Sequence, residues 1–424
     1  MLAPPPLFRN KKEFLIISAI LVSIIIARLI FVYQDYQSLK SLPNYYYTEA
    51  QVIKIYETKS NSTLLKLHSN TKNLDFFLYT NKEIPKRFDW VRVKLKLKKG
   101  TSFFDYLKGF FAYGDIIEHV EDGFYAKAFL RELIDKQHNG YESIKTFYYA
   151  IFLADPLDKN LRDKISSLGV SHLVALSGFH LGILWLMVFA AAYVPYRYFQ
   201  QKYYPYRNRN IDLGLFTLIF LALFTLFVGA PASLIRSYVM LFIGWVILTL
   251  ALELLSFKFL AFAVLLILAV APKLVASLSL LLSMSGVFYI FLVIKYFQEK
   301  PAWFISLVAI PVGIFLLMFP IGHYFFPNTT IWQLCSPILS VLFILFYPLV
   351  AILHLFGLGS LFDGALLWLF NLPKGSIEIY LPNYIMAIYV ALSISAVFSK
   401  RVFYATLIAA TLITAWYMGV YLLR

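Results

Sequence analysis

The residues whose types and spacing invite chemistry lie together in one apolar run, Leu168 to Trp185, which reads LGVSHLVALSGFHLGILW. His172, Ser177 and His180 interrupt it with polar or ionisable groups, each costly in a membrane unless it meets a partner, a protein interior or water. They are expected to face inward, toward a wet path or its gate. On one continuous helix the two histidines, eight positions apart, would stand about 80° around and ~12 Å along the axis. That is too far to share a metal ion, so hydrogen bonding and local charge are the chemistry expected of them. Ser177 and His180 would be neighbours on one helix face, the spacing a serine nucleophile and its base would use. Gly178 and Gly182 form a small-xxx-small pair that suits close helix approach.

A second set of chemistry-bearing residues lies upstream. From Trp90 to Lys98 apolar and basic residues alternate, and a strand has a side-chain period of two. Val91, Val93, Leu95 and Leu97 would face a core while Arg92, Lys94, Lys96 and Lys98 face outward. Such a basic row suits phosphate contacts, and it equally suits a solvated strand face.

The elements that must carry these residues follow from composition and pattern. Of 424 residues 60% are apolar and 14% charged, against about 25% charged in soluble domains. A soluble globular protein is excluded. The net charge of +15 favours anionic partners, either lipid head groups with the positive-inside bias or nucleic acid. The single cysteine, Cys335, can form no disulfide within the chain. The first apolar segment, Phe14 to Tyr33, lacks a small-residue cleavage site and reads as a retained anchor.

Four regions are expected: an anchor over 1–34, a β domain over 45–122, helical connectors over 123–167, and a membrane domain over 168–424. Alternation marks strands at Gln51–Glu57, Ser62–His68, Asn73–Thr80 and Trp90–Lys98, which suit a small twisted barrel. In the connector Phe124, Ala128, Leu133, Ile134, Ile144, Phe147 and Ile151 are placed to form apolar helix faces, as in a collar at the membrane surface. Beyond Val170 ten apolar runs follow, over 170–194, 211–229, 234–252, 258–271, 274–294, 302–319, 333–353, 357–372, 384–398 and 402–421. Most approach the ~20 residues of a spanning helix, and the runs 258–271 and 357–372 are short enough to be re-entrant. Basic segments at Arg9, Lys11 and Lys12, at Arg197 to Arg209, at Lys295 and Lys300, and at Lys400 and Arg401 predict a cytoplasmic N-terminus and an outer, periplasmic β domain. The fold class expected is thus a polytopic α-helical membrane protein with a small periplasmic β-barrel inserted after the first transmembrane helix.

The run Gly169 to Gly182, GVSHLVALSGFHLG, resembles the motif GLSHLLAISGLHVG of the ComEC competence proteins. FDYLKGFFAYGDI at Phe104 to Ile116 is similar to the segment that closes that family's periplasmic barrel. FLADPLDKNLR at Phe152 to Arg162 resembles a stretch with a Gly-Asp pair, whose place Ala154 and Asp155 take here. APASLIRSYVM at Ala230 to Met240 resembles a PSxxRAxxM segment, with Arg236 as its basic residue. The resemblance implies an inner-membrane channel passing single-stranded DNA into the cytoplasm during natural transformation, with an oligonucleotide-binding-type barrel. It places Asp155, His172, Ser177, Gly178, His180, Gly182 and Arg236 along the DNA path, and Arg92, Lys94, Lys96 and Lys98 on a DNA-binding face.

The expected partners are single-stranded DNA, membrane lipids, a periplasmic DNA receptor, a cytoplasmic ATPase and single-strand-binding proteins, and the sequence is compatible with a homo-oligomer. Longer members carry a C-terminal metallo-β-lactamase-like domain. Neither its HxHxDH motif nor a GxxxxGK[ST] phosphate loop occurs here, so no metal, cofactor or catalytic residue is expected. Two other readings stand beside the channel. One is a secondary transporter of a small anion, with Gly357, Gly359 and Pro373 breaking helices. The other is an intramembrane serine hydrolase built on Ser177 and His180, against which Ala175 stands where such enzymes have glycine.

Overall fold

The computed structural model describes residues 5–40, 46–57, 63–69, 74–80, 90–97, 100–120, 125–138, 140–250, 256–372 and 375–423. From the N-terminus come α1 (Lys11–Lys40), the strands β1 (Tyr46–Glu57), β2 (Thr63–Ser69), β3 (Leu74–Thr80) and β4 (Trp90–Leu97), the short helix α2 (Phe103–Lys108) and β5 (Phe110–Val120). The connector holds α3 (Tyr125–Gln137), α4 (Glu142–Leu153) and α5 (Lys159–Ser167). The helices α6 (Ser171–Val174), α7 (Gly178–Tyr203), α8 (Arg209–Phe227), α9 (Ala232–Thr249), α10 (Phe257–Val270) and α11 (Leu278–Phe297) follow. The single turn α12 (Ala302–Phe304) runs through a π-helical stretch into α13 (Ile310–Phe325), and α14 (Ser336–Leu355), α15 (Asp363–Asn371), α16 (Asn383–Ser395) and α17 (Lys400–Leu422) complete the chain.

Two compact units form, one from residues 8–132 with 261–280, the other from 1–7, 133–260 and 281–424. In the first, the strands close a barrel in the order β1-β2-β3-β5-β4, with β4 pairing back to β1. All pairs are antiparallel except β3 with β5, the Greek-key pattern of the oligonucleotide-binding type of barrel. Alternation places the core: Leu65, Leu67, Phe76, Leu78, Val91 and Val93 are all fully buried. The last turns of α1 join that core through Val32, Tyr36 and Leu39, and Tyr36 Oη donates to the Thr101 carbonyl at 2.7 Å.

In the second unit α3, α4, α5, α6, α14 and α15 share a core around Ile134, Ile144, Phe147, Tyr148 and Ile151. Of the expected connector face, Ile134, Ile144, Phe147 and Ile151 pack inside this unit, while Phe124 and the side chain of Ala128 lie outside the described residues. α7 packs on α8 and α9, and α13 on α16 and α17. Hydroxyls join the latter group, since Tyr289 Oη and Ser393 Oγ lie 2.8 Å apart and Tyr389 Oη donates to the Leu317 carbonyl at 2.7 Å.

Among the described residues seven helical stretches are long and apolar enough to cross a membrane: Lys11–Lys40, Gly178–Tyr203, Arg209–Phe227, Leu278–Phe297, Ala302–Phe325, Ile331–Leu355 and Lys400–Leu422. Ser233–Thr249, Phe257–Val270 and Asn383–Ser395 are shorter apolar helices. Two of the expected runs differ from the structure. The run over 357–372 divides, because Gly357 takes a positive φ of 76° after α14 and only the nine-residue α15 follows a 3-10 turn. At ~1.5 Å per residue α15 covers less than half of a bilayer core. The run over 170–194 is likewise not one helix, and that break forms the site described next.

Candidate membrane-domain site

After α5 the chain makes the single turn α6, becomes extended at Ala175 and Ser177, and re-enters helix at Gly178. A break of this kind leaves backbone carbonyls without helical partners, and a membrane interior supplies no water to satisfy them. Hydroxyl groups on neighbouring segments partner carbonyls at the break and at the end of α5 just before it. Ser233 Oγ of α9 donates to the Leu176 carbonyl at 2.8 Å, and Ser336 Oγ of α14 to the Gly169 carbonyl at 3.0 Å. Thr330 Oγ1 donates to the Ser167 carbonyl. Ser177 itself caps α7, its Oγ accepting from Phe179 N at 3.3 Å.

The break revises the geometry expected for the histidines, which lie on either side of it rather than along one straight helix. Both face α14. His172 is exposed, with Nε2 3.4 Å from Ser340 Oγ. His180 is fully buried, meeting the rings of Phe343 and Tyr347 edge-on at 5.2 and 5.0 Å. Its Nδ1 lies 3.5 Å from Ser177 Oγ, at the outer limit of a hydrogen bond, and its Nε2 has no partner among the described residues.

The two glycines, alike in sequence, separate here. A Cβ at Gly178 would lie 2.9 Å from Ser237 Oγ of α9, whereas one at Gly182 would meet nothing within 4 Å. Gly178 therefore makes the close helix contact and Gly182 does not, because it faces open space. Arg236 is buried in α9, between the two serines that meet the motif. Asp155 follows Ala154, which ends α4 at φ 62°, a left-handed conformation that favours glycine. Ala154 packs against the cluster that holds Leu176, Leu181 and Leu234. The site residues expected from sequence in this unit thus gather around one break, with Gly182 opening from it.

On the barrel, Val91, Val93 and Leu95 point inward and Arg92 and Lys96 are exposed, while Lys98 lies outside the described residues. Arg92 is paired with Glu49 at 2.9 Å, and Lys94 Nζ stands 5.8 Å from the Tyr47 ring centre. Sequence reasoning missed a row of aromatic side chains on the barrel's outer face. Phe111 stacks on Phe77 at 5.2 Å and on Tyr79 at 6.1 Å, Lys66 Nζ stands 5.8 Å from the Phe77 centre, and Tyr113 pairs across to Lys96. Beside this face Asp75 accepts from His68 Nδ1 at 2.7 Å. Burial alone would raise its carboxyl, but the His68 hydrogen bond and the charges of Lys66, His68 and Lys273 outweigh that and hold it below its ordinary value.

No group of three or more metal-ligating side chains occurs among the described residues. Fold and site together define a multi-pass membrane protein with a small β-barrel after its first helix and a broken, hydroxyl-stitched entry into one of its later helices. A family model described as Competence protein matches residues 154–424, from the Ala154 turn through the break to α17. The chain belongs to the competence protein family and has a role in DNA uptake. No curated protein and no solved structure matches it.

Proposed function

We infer that this protein is the channel by which single-stranded DNA crosses the cytoplasmic membrane during natural transformation, with its N-terminus in the cytoplasm and its barrel in the periplasm. The observation that carries the reading is the break at Ala175–Ser177. Irregular backbone at membrane depth is tolerated where protein buries it or where it borders a water-filled path. Ser233 partners the Leu176 carbonyl at the break, and the exposure of His172 and Gly182 beside it supports a path along this face. His172, Ser177, Gly178, His180, Gly182, Arg236 and Asp155 form the path or its gate.

The barrel's aromatic row and its lysines Lys66, Lys94 and Lys96 offer the stacking and charge that hold single strands without regard to sequence. Inward movement of a polyanion works against an inside-negative potential by ~2.3 kcal/mol per charge per 100 mV. A cytoplasmic ATPase must therefore pull, with single-strand-binding proteins receiving the product and a periplasmic receptor delivering the duplex. The channel needs no metal or cofactor of its own.

The test is labelled-DNA uptake by a deletion strain. Periplasmic uptake should persist while entry into the cytoplasm stops. Loss of both, or of neither, would place the protein at another step.

A further inference from the structure

A second polar cluster lies in the same unit, among the apolar side chains of α3, α4, α14 and α15, and the proposed DNA path makes no use of it. His138, just after α3, is 1% exposed, His354 in the last turn of α14 is 4% exposed, and Asp363 at the start of α15 is 6% exposed. His138 Nδ1 stands 2.9 Å from both carboxylate oxygens of Asp363, and its Nε2 stands 2.9 Å from His354 Nε2. His354 Nδ1 is 2.7 Å from the Val350 carbonyl. Gln137 ties the same corner, its Nε2 donating to the His354 carbonyl at 2.9 Å and its Oε1 accepting from Gly359 N at 2.7 Å. A Cβ at Gly359 would come within 2.7 Å of His354 Nε2, so glycine is what lets this turn close over the pair.

The contacts fix a proton count. A carbonyl only accepts, so His354 Nδ1 carries a proton. The carboxylate and His138 Nδ1 need one proton between them. The two Nε2 atoms need another, because facing lone pairs repel. Three contacts therefore hold three protons, and two neutral imidazoles beside an ionised carboxylate supply only two. The extra proton makes the three groups neutral overall, the state that costs least in an apolar interior. Among the described residues Tyr148 of α4 is the titratable side chain whose ring meets both imidazoles, stacked on His138 at 4.5 Å and edge-on to His354 at 4.5 Å. Burial, with the Asp363 charge, pushes its hydroxyl up, so it adds no charge. The Phe152 ring also meets His354 edge-on.

We propose that Asp363, His138 and His354 form a buried proton-binding site through which the membrane domain takes up and releases a proton during its working cycle. The excess proton moves between the rings by breaking an N–H bond at His138 Nε2 and forming one at His354 Nε2. His138 is then neutral, its Nδ1–H still on Asp363, and His354 is the cation. The charge can thus stand on α3 or on α14, and α14 is the helix whose Ser340, Phe343 and Tyr347 face the motif histidines. A metal ion fits worse. With bonds of ~2.0 Å, nitrogens 2.9 Å apart would subtend only ~93° at zinc, far from tetrahedral. No third ligand of the His, Cys, Asp or Glu type joins them among the described residues.

The proposal goes beyond the DNA path, and the shared proton itself is tested without DNA. In full-length protein in lipid nanodiscs with isotope-labelled histidine, nitrogen NMR at neutral pH should show one proton shared between two Nε2 atoms. His138→Gln and His354→Gln should each remove it. Asp363→Asn keeps an acceptor for His138 Nδ1 but removes the counter-charge, so the shared proton should vanish while the protein stays folded in the membrane. Transformation by Asp363→Asn, at matched membrane level, should fall roughly tenfold or more. Bare Nε2 atoms on both rings of the wild type would overturn the proposal, as would stoichiometric zinc or copper in the purified protein. Normal transformation by an Asp363→Asn protein that has lost the shared proton would overturn its part in the working cycle. None of these results touches the DNA-path reading, which the uptake experiment decides separately.

Discussion

The sharpest consequence of the break is that Gly178 and Gly182, interchangeable by sequence pattern, should respond oppositely to a methyl group. At Gly178 the new Cβ would lie 2.9 Å from Ser237 Oγ and 3.2 Å from Ser237 Cβ. Ser237 must turn away, which breaks its 2.9 Å bond to the Ser233 carbonyl, worth about 1 kcal/mol. The crowding between α7 and α9 adds strain within the range of about 1–3 kcal/mol found for overpacked sites. The helix-propensity gain of alanine over glycine is small at the first residue of α7, so Gly178→Ala should lose about 2–4 kcal/mol. Gly182→Ala meets nothing and should gain about 0.5–1 kcal/mol from the same propensity. Thermal unfolding of the purified proteins in detergent reads both signs. Ser237→Ala should recover part of the Gly178→Ala loss, seen as a favourable coupling in a double-mutant cycle. Equal losses at the two glycines, or strict additivity with Ser237→Ala, would refute the assignment of Gly178 to the α9 contact.

Four further outcomes follow. Ala154→Gly should raise stability by about 1 kcal/mol, because an L-residue is strained at φ 62°, and an unchanged unfolding midpoint would contradict this. Asp75 has a depressed carboxyl pKa, so its contribution to barrel stability is present above its ordinary value of 3.8 and lost as pH falls through the lower folded value. The Asp75→Asn protein should therefore show a shallower acid-side decline in barrel protection, read by hydrogen exchange. Phe111→Ala should weaken single-strand binding by about 1–3 kcal/mol with an unchanged salt slope, whereas neutralising Lys66 and Lys96 should lower that slope by about 0.7 per lysine. His180→Leu should leave protein abundance intact but stop cytoplasmic DNA entry, with His180→Gln retaining part of it. Normal uptake by His180→Leu would reduce that side chain to packing.

What the sequence made legible, and what it hid, has physical reasons in particular residues. β2 and β4 were visible because polar and apolar positions alternate where one face meets water. β5 lacked that signal, since its buried Phe110, Ala112 and Ile116 alternate with the exposed apolar side chains of Phe111, Tyr113 and Ile117. The outward face of that strand carries the stacking row, so the feature that suits it to ligand binding also erased its pattern. The motif run looked like one helix because hydropathy does not register backbone direction. Ser177 before Gly178 was an N-cap signal inside that run. The His138 cluster was beyond reach, as its members are 216 and 225 residues apart. Only the presence of His354 and Asp363 in apolar surroundings pointed to it.

The polar side chains at the break divide into those that complete the backbone and those that do not. Ser233 donates to the Leu176 carbonyl within the break, Ser336 and Thr330 donate to the Gly169 and Ser167 carbonyls at the end of α5, and Ser177 accepts from Phe179 N, the second amide of α7. Among the described residues His180 contributes no bond to that backbone, whereas His172 also meets the backbone of Gly169. A leucine or phenylalanine in place of His180 would fill the space between Phe343 and Tyr347 without leaving a buried ring nitrogen unsatisfied, and such unsatisfied groups are a net cost of about 1–3 kcal/mol. A cost of that size, kept where an apolar side chain would remove it, is what a site held for use rather than for folding exhibits. In the proposed channel it is the His180 imidazole, not the hydroxyls around it, that carries the working part of this motif.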